Sequence, residues 1–408
     1  MGCVWPFASE HERGVVPQNV TGFQVVTQTH RGRWYVIDPR SCYCRFSEWG
    51  QKEDDEGHYM WYVRFQSIEP RGVDKEPIMI KGRIVGTGST TPKRILTNQE
   101  LETIVDTTDE WIIRRTGIKE RRISSDGHGE NTSDLSTSAS LKALEMAGIS
   151  PDSLDMIVIG TVTADRQFPS AACMVQKALN ASKAVAFDIS AGCSGFLYAL
   201  SVANNAIATG NCQNALVIGA EVLSPVTNWE DRTTCVLLGD GAGAVVLTPT
   251  TGDDGILSTH LESDGSFWDL LYSTEGSFKV PEILDTVEPK SYYLKMEGNR
   301  LFKKAVSCLC DIAASALAHH GLSGDDITLM VPHQANLRII RAAAEKLSIP
   351  MEKVYTNIEK YGNTSSASIP IALDEANREG LLKPGDFMLM VTFGAGLTWG
   401  ASVVNWSS

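Results

Sequence analysis

The stretch DISAGCSGFLYAL, Asp188–Leu200, sets one cysteine among glycines and serines. There a buried-looking run, AVAFDI (184–189), gives way to an apolar helical pattern, FLYALSVANNAIATG (196–210). A strand that ends in a small-residue turn and feeds straight into a helix is a unit of α/β architecture, and in such sheets ligands and catalytic groups collect at the carboxyl ends of strands. Cys193 stands at the start of the helix, where unpaired N–H groups and the positive end of the helix dipole favour a thiolate, the nucleophilic form of the side chain. Gly192, Ser194 and Gly195 leave room for a bulky electrophile and let the backbone turn sharply. A buried, inert thiol is nevertheless the ordinary state of a free cysteine. What lifts Cys193 above that reading is its place in a repeat.

ALEMAGISPDSLDMIVIG (143–160) aligns without a gap on ALAHHGLSGDDITLMVPH (316–333), with a helix, a glycine cap at Gly148 or Gly321, and a strand in register. KAVAFDISAGC (183–193) aligns on KVYTNIEKYGN (353–363), strand then tight turn. Each is followed by a helix and a further strand, NALVIGAE in one half and DFMLMVTFGAG in the other. One βαβ design is thus written twice, and its buried strands alternating with amphipathic helices predict a largely parallel sheet in each half. The duplication makes Cys193 and Asn363 equivalent strand-end residues and puts His333 at the end of the strand equivalent to the one ending at Gly160. His333 taken alone suits a turn histidine, and Asn363 between Gly362 and Thr364 suits plain turn chemistry. Together the three give one nucleophile and two neutral donors aimed at a carbonyl.

The 408 residues are 43% hydrophobic and carry a net charge of −13 with a pI near 5.1. That balance argues against general nucleic-acid binding, which needs a basic surface to displace counterions. No run is long and apolar enough for a spanning helix, and the N-terminus lacks a secretory signal, so a cytoplasmic location without membrane insertion is expected. MGC at the start is a partial myristoylation pattern, but Pro6 stands where that motif wants serine or threonine. The nine cysteines are odd in number and thinly spread, which fits reduced thiols. Cys42/Cys44 and Cys308/Cys310 lack the spacing and second ligand pair of a zinc site, so no metal is expected, and Cys308/Cys310 fit the buried side of a helix. LLGDGAGAVVL (237–247) lacks the spacing of a phosphate loop and reads as tight backbone packing.

Residues 1–78 read differently from the rest. FQVVTQTHRGRWYVID and HYMWYVRFQSIEP suggest short strands separated by the acidic SEWGQKEDDEG, and regular β and α patterns begin only at Met79. The extension fits a small β module, a flexible segment or a product of an upstream start. Two halves are expected beyond it, 79–250 with the cysteine and 251–408 with the histidine and asparagine.

From about Met79 onward the chain resembles the β-ketoacyl-acyl-carrier-protein synthase III family of the thiolase superfamily. The resemblance is carried by DTTDEWIIRRTGIKERR, FPSAAC, FDISAGCSGF, LLGDGAGA, VPHQANLRII, GNTSSASIP and FGAGLTWG. Elongating relatives pair their cysteine with two histidines, so Asn363 points to the initiating type. The resemblance implies a duplicated, thiolase-like α/β fold in five layers, α-β-α-β-α, with the N-terminal extension added. It implies a two-stage Claisen condensation of an acyl-CoA primer with malonyl-acyl carrier protein through an acyl-Cys193 intermediate, without metal or redox cofactor. Coenzyme A and carrier-protein thioesters are then the substrates, and His333 is a neutral Nε2–H donor. By the same resemblance the backbone N–H groups of Cys193 and Ala395 form the oxyanion hole, and Trp111 and Arg232 clamp the adenine of coenzyme A. Arg115 and Asn336 line the nucleotide and pantetheine path, Phe393 shields the site from water, and Phe168 reaches into the partner's acyl pocket in a homodimer. Arg338, Arg341 and Lys346 recur on one helix and would meet the acidic acyl carrier protein, with Glu345 weakening the patch. Ala395, Leu397 and Thr233 depart from the residues usual in the family, which leaves the primer open.

A secondary-metabolic synthase with another primer, or a heteroatom acyltransferase, stands beside this reading. A non-catalytic acyl-binding partner is a third, against which Cys193, His333 and Asn363 all argue. A hydroxymethylglutaryl-CoA synthase-like reading needs a glutamate near the cysteine, and none matches that family's motif.

Overall fold

The computed structural model describes residues 80–125, 129–273 and 293–407, together with the backbone of four strands nearer the N-terminus. It divides into two units, Met1–Ile78 and Met79–Ser408. In the first, β1 (Val25–Gln28) pairs antiparallel with β2 (Trp34–Ile37), and β3 (Cys44–Glu53) with β4 (Tyr59–Ser67). The acidic stretch expected to separate strands is therefore mostly strand itself. SEWGQKE belongs to β3, with Trp49 opposite Val63 and Gln51 opposite Trp61. The N-terminal MGC and Cys42 lie outside the described residues.

The second unit holds two sheets. The first runs in the order β5 (Lys81–Thr90), β11 (Gly241–Thr250), β10 (Ala215–Glu221), β8 (Met156–Gly160), β9 (Val185–Ile189). The second runs β12 (Gly255–Ser263), β17 (Thr398–Asn405), β16 (Phe387–Gly394), β15 (Leu329–Pro332). Two small ribbons, β6 (Arg94–Thr97) with β7 (Glu120–Ile123) and β13 (Leu271–Ser273) with β14 (Leu294–Met296), lie outside them.

The sheets are mixed and not largely parallel. β8 is parallel to β10 and β9, and β15 to β16, whereas β11, β5, β17 and β12 join by antiparallel ladders. The cause is local: β16 reaches β17 through three residues, Ala395–Leu397, which suffices only for an antiparallel return.

The duplication holds in space, since β8 and β15 occupy matching places beside β10 and β16. Gly148 and Gly321 both take the left-handed backbone that ends a helix, at φ 64° and 66°. The repeat loosens at one point. The second-half counterpart of β9 is reduced to a single bridge, Met330 with Val354, because Asn357 turns its N–H to the Gln334 side chain and its amide to Glu375.

Among the described residues there are nine α-helices, six of which fill the layers. α3 (Thr132–Ala147) and α4 (Ala171–Leu179) pack on the outer face of the first sheet, against Ile157, Ile159, Leu216 and Ile218. α5 (Gly195–Ala208) and α9 (Ser368–Arg378) lie between the sheets, where Phe196, Leu200, Ile369 and Leu373 meet Val158 and Val217 on one side and Val331 and Met390 on the other. α6 (Gly298–His319) and α7 (Leu337–Lys346) cover the outer face of the second sheet, against Met330, Leu389 and Val403. Alternate strand residues thus face opposite layers, as the strand period requires, and the result is α-β-α-β-α. Cys308 and Cys310 are buried on α6. Short helices α1 (Asn98–Leu101), α2 (Asp109–Thr116) and α8 (Ile358–Tyr361) sit near the β6–β7 ribbon. In LLGDGAGA, a Cβ on Gly243 would lie 2.6 Å from the α9 backbone, and Asp240 takes the N–H groups of Ser124, Leu223 and Ser224. No helix among the described residues is long and apolar enough to cross a membrane.

Candidate active site

The carboxyl ends of the strands in both sheets open on one cavity of about 420 Å³, with Cys193, His333 and Asn363 in its wall. Each arrives by a different local device. Cys193 lies in a single 3-10 turn, Gly192–Ser194, between β9 and α5. The turn is fastened to the other half: Thr392 Oγ1 donates to the Cys193 carbonyl (3.1 Å), Ser194 Oγ to Thr398 O (3.1 Å) and Thr398 Oγ1 to Ala191 O (2.8 Å). Two glycines permit the approach. Gly192 has φ +54°, and a Cβ on it would lie 2.7 Å from Ala395 N, while one on Gly394 would lie 2.6 Å from Cys193 N. The backbone of Cys193 is thereby pressed against that of Gly394–Ala395.

His333 follows β15, its N–H bonded to Val391 O at 2.8 Å. Its Nδ1 lies 2.7 Å from Ser368 Oγ, which also accepts from Gln334 N at 3.3 Å. A hydroxyl that already accepts a backbone N–H has its own proton to give, and Nδ1 is the acceptor beside it. The tautomer with hydrogen on Nε2 follows. Burial holds the imidazole neutral, with a pKa of about 3. Asn363 is held by a bridge to Leu238, with its N–H on Leu237 O (2.8 Å) and its carbonyl on Gly239 N (3.0 Å). Its side-chain oxygen accepts Ser365 N at 2.8 Å, which leaves the amide N–H2 as the outward donor.

Burial pushes the Cys193 thiol up to about 11, with proximity to Glu221 adding to the shift and a hydrogen bond from Ser365 opposing it.

Asn336, Phe393 and Ala395 also line the cavity. Asn336 caps α7 and donates to Arg115 O at 3.1 Å, and Phe393 stacks on Trp399 with centroids 6.4 Å apart. Trp111, Arg115 and Arg232 are not among the lining residues and form their own cluster. The two guanidinium carbons each lie 5.0 Å from the Trp111 ring centre, and Arg232 donates to Asp106 O at 2.6 Å. Phe168 is 82% exposed, outside its own chain's cavity. Arg338, Arg341 and Lys346 are exposed on α7, with Glu345 exposed among them, and Arg338 lies over the Phe302 ring at the cavity wall.

Sequence reading passed over Glu221. It ends β10, is wholly buried and is pushed up to about 7 by burial, against hydrogen bonds that oppose the shift. The signal was available: NALVIGAE is an uninterrupted apolar strand closed by a carboxylate at its carboxyl end. The folded chain keeps this proton, while an unfolded chain gives it up near the ordinary 4.5. Stability drawn from Glu221 is therefore full below about 4.5 and lost as pH rises to about 7. Thermal midpoints of Glu221→Gln, measured against pH, should lack that decline.

A thiol, a neutral imidazole and an amide line one cavity in a duplicated five-layered frame, the fold of the thiolase-like class. Comparison with known proteins narrows the class. The family model for the C-terminal part of 3-oxoacyl-[acyl-carrier-protein] synthase III matches residues 317–406, and the model named for the synthase itself matches 187–265. The β-ketoacyl-[acyl-carrier-protein] synthase III of Caldanaerobacter subterraneus subsp. tengcongensis is 52% identical over 328 residues, 80% of this chain and 98% of that one. The crystal structure of 3-oxoacyl-[acyl-carrier-protein] synthase III from Aquifex aeolicus VF5 is 49% identical, covering 80% of this chain and all of its own, with a TM-score of 0.74. The priming β-ketosynthase of the R1128 polyketide pathway is 35% identical over 83% of this chain and 99% of its own, with a TM-score of 0.77. The chain belongs to the β-ketoacyl-acyl-carrier-protein synthase III family. It is an acyltransferase, an initiating condensing enzyme of fatty acid biosynthesis.

Proposed function

We propose that the chain condenses a short acyl-CoA primer with malonyl-acyl carrier protein in two stages, with Cys193 as nucleophile and His333 and Asn363 as donors. In the first stage sulfur attacks the thioester carbonyl, and the N–H groups of Cys193 and Ala395 take the developing oxyanion. The C–S bond to coenzyme A breaks, and the thiol proton leaves with it as free CoA. Acylation also removes the burial penalty, because a thioester carries no charge. In the second stage the malonyl C–C bond breaks, CO2 departs and the electron pair becomes an enolate, whose oxygen is hydrogen-bonded by His333 Nε2–H and the Asn363 amide. The enolate carbon attacks the acyl carbonyl, and Cys193 leaves and takes up one proton. Loss of CO2 drives the bond formation, so no metal or redox cofactor enters. The observation that carries the reading is the shared cavity with two donors whose far sides are fixed, His333 by Ser368 and Asn363 by Ser365.

The finer partners follow the same reading. Adenine stacked between Trp111 and Arg232 needs a gap of roughly 7 Å, two aromatic contact distances. Arg232 must therefore leave the ring and its Asp106 contacts when coenzyme A binds. Arg232→Ala should raise KM for acyl-CoA by about tenfold with kcat nearly unchanged, and leave an acyl thioester lacking the nucleotide unaffected. β9 is an edge strand with Val185 62% exposed, and with Phe168 it supports a homodimer formed along that edge. Arg338 and Arg341 would receive the acidic carrier protein. Incubation with malonyl-acyl carrier protein and a panel of acyl-CoAs tests the whole: acetyl, propionyl or branched short primers should yield 3-oxoacyl carrier protein, and condensation with none of them would overturn it.

A further inference from the structure

Glu221 holds together the wall behind the nucleophile. One carboxyl oxygen lies within hydrogen-bond distance of Ser365 Oγ (3.3 Å) and Val162 N (3.2 Å), and the other of Thr161 Oγ1 (3.3 Å), Thr163 Oγ1 and the same Val162 N (3.2 Å), so that a hydroxyl can take the proton of the neutral carboxyl. Val162, Thr163 and Ser365 all line the cavity. Ser365 is the hinge of the arrangement. Its φ of +50° is a backbone conformation that a serine adopts only when its surroundings impose it, and its N–H is the group that fixes the Asn363 side-chain oxygen.

We propose that Glu221 is a positioning residue of the condensing site, holding Ser365 in its strained turn so that the Asn363 amide presents its N–H2 to the substrate carbonyl. The inference rests on the role of Asn363 given above. Glu221 works as a neutral carboxyl, because a negative charge beside Cys193 opposes both the thiolate and the enolate. The titratable group facing it is the Cys193 thiol. Asp240, which takes Leu223 N–H, Asp165, which holds Ser133, and Asp188, which caps α4, stand on the neighbouring elements. Among the described residues no cationic side chain hydrogen-bonds or ion-pairs with this carboxyl. As the pH passes the Glu221 value of about 7, the carboxylate forms and malonyl decarboxylation slows.

The test measures CO2 release from malonyl-acyl carrier protein against pH for the full chain and for Glu221→Gln, Glu221→Ala and Asn363→Ala. Glu221→Gln keeps a neutral donor and acceptor. It should stay within about threefold of the parent at low pH and lose the alkaline decline, whereas Glu221→Ala should fall by about 10²-fold in kcat, as for loss of one oriented donor. An alkaline decline in Glu221→Gln at the parent's position would overturn the proposal, whether or not Glu221→Ala folds. So would unaltered decarboxylation by a folded Glu221→Ala. Asn363→Ala separates the two claims: if it decarboxylates normally, the role of Asn363 is wrong, and if it alone fails while Glu221→Ala does not, only the positioning role of Glu221 is wrong.

Discussion

Cys193→Ala is expected to lose condensation on the order of 10⁴-fold or more, because no other group can carry the acyl chain between the two stages. The six described free thiols make the specificity of that loss checkable. Cys212, Cys235, Cys308 and Cys310 are buried, and Cys173 points its sulfur at Ala186 O, so only Cys193 opens on the cavity. Alanine removes the sulfur and leaves the Cys193 backbone, which the Thr392 hydroxyl and the close approach of Gly394 hold in place. Malonyl decarboxylation, which needs only the donors, should therefore survive in this variant. Product assayed by transfer of labelled primer to carrier protein should vanish while CO2 release continues. Retained condensation would remove the covalent intermediate from the mechanism.

His333→Ala is expected to show the converse. It should lose decarboxylation by about 10²- to 10³-fold, the usual cost of one preorganised donor in a dry site, yet still acquire an acyl group from acyl-CoA. The physical reason is the division of labour in the proposed mechanism, which gives the first stage to backbone N–H groups near Cys193 and the second to the imidazole. Because His333 is neutral down to about 3, the parent enzyme should show no acid limb from this residue at any pH between that value and neutrality. An acid limb near the ordinary histidine range that His333→Ala abolished would mean that the imidazole acts as a base.

Most of the fold was legible because duplication leaves a pattern that any one half would blur. The helix, glycine and strand of 143–160 recur at 316–333, and the two matching places beside β10 and β16 are the spatial form of that alignment. The antiparallel ladders were not legible in the same way. Strand direction depends on how far the chain travels between strands, and the three residues Ala395–Leu397 give that away only once both flanking segments are known to be strands. SEWGQKE in β3 shows a similar limit, since its charges suggest a turn while the register with β4 makes it strand.

At the site, Cys193 and His333 were visible because each follows a strand within the repeat, and Asn363 because it aligns with Cys193, although the short helix α8 and not a strand precedes it. The state of Cys193 was not. Proximity to a helix start argues for a thiolate, and only the packed structure reveals how far its surroundings push the thiol up. Glu221, Ser365 and Ser368 were missed because they position other side chains across the fold: Ser368 lies against His333, Ser365 donates to Asn363, and Glu221 meets Ser365 across two halves of the chain, at 3.3 Å. Trp111 and Arg232 were identified through family resemblance, but their mutual stacking at 5.0 Å is a property of the folded surface alone.

The most direct measurement is the mass of the whole protein after mixing with acetyl-CoA, followed by peptide mapping and then by addition of malonyl-acyl carrier protein. One acetyl group should appear on the peptide containing Cys193, and it should be discharged as 3-oxoacyl carrier protein with release of CO2. Product formed without that adduct, or an adduct on Cys193 that malonyl-acyl carrier protein never discharges, would contradict the mechanism.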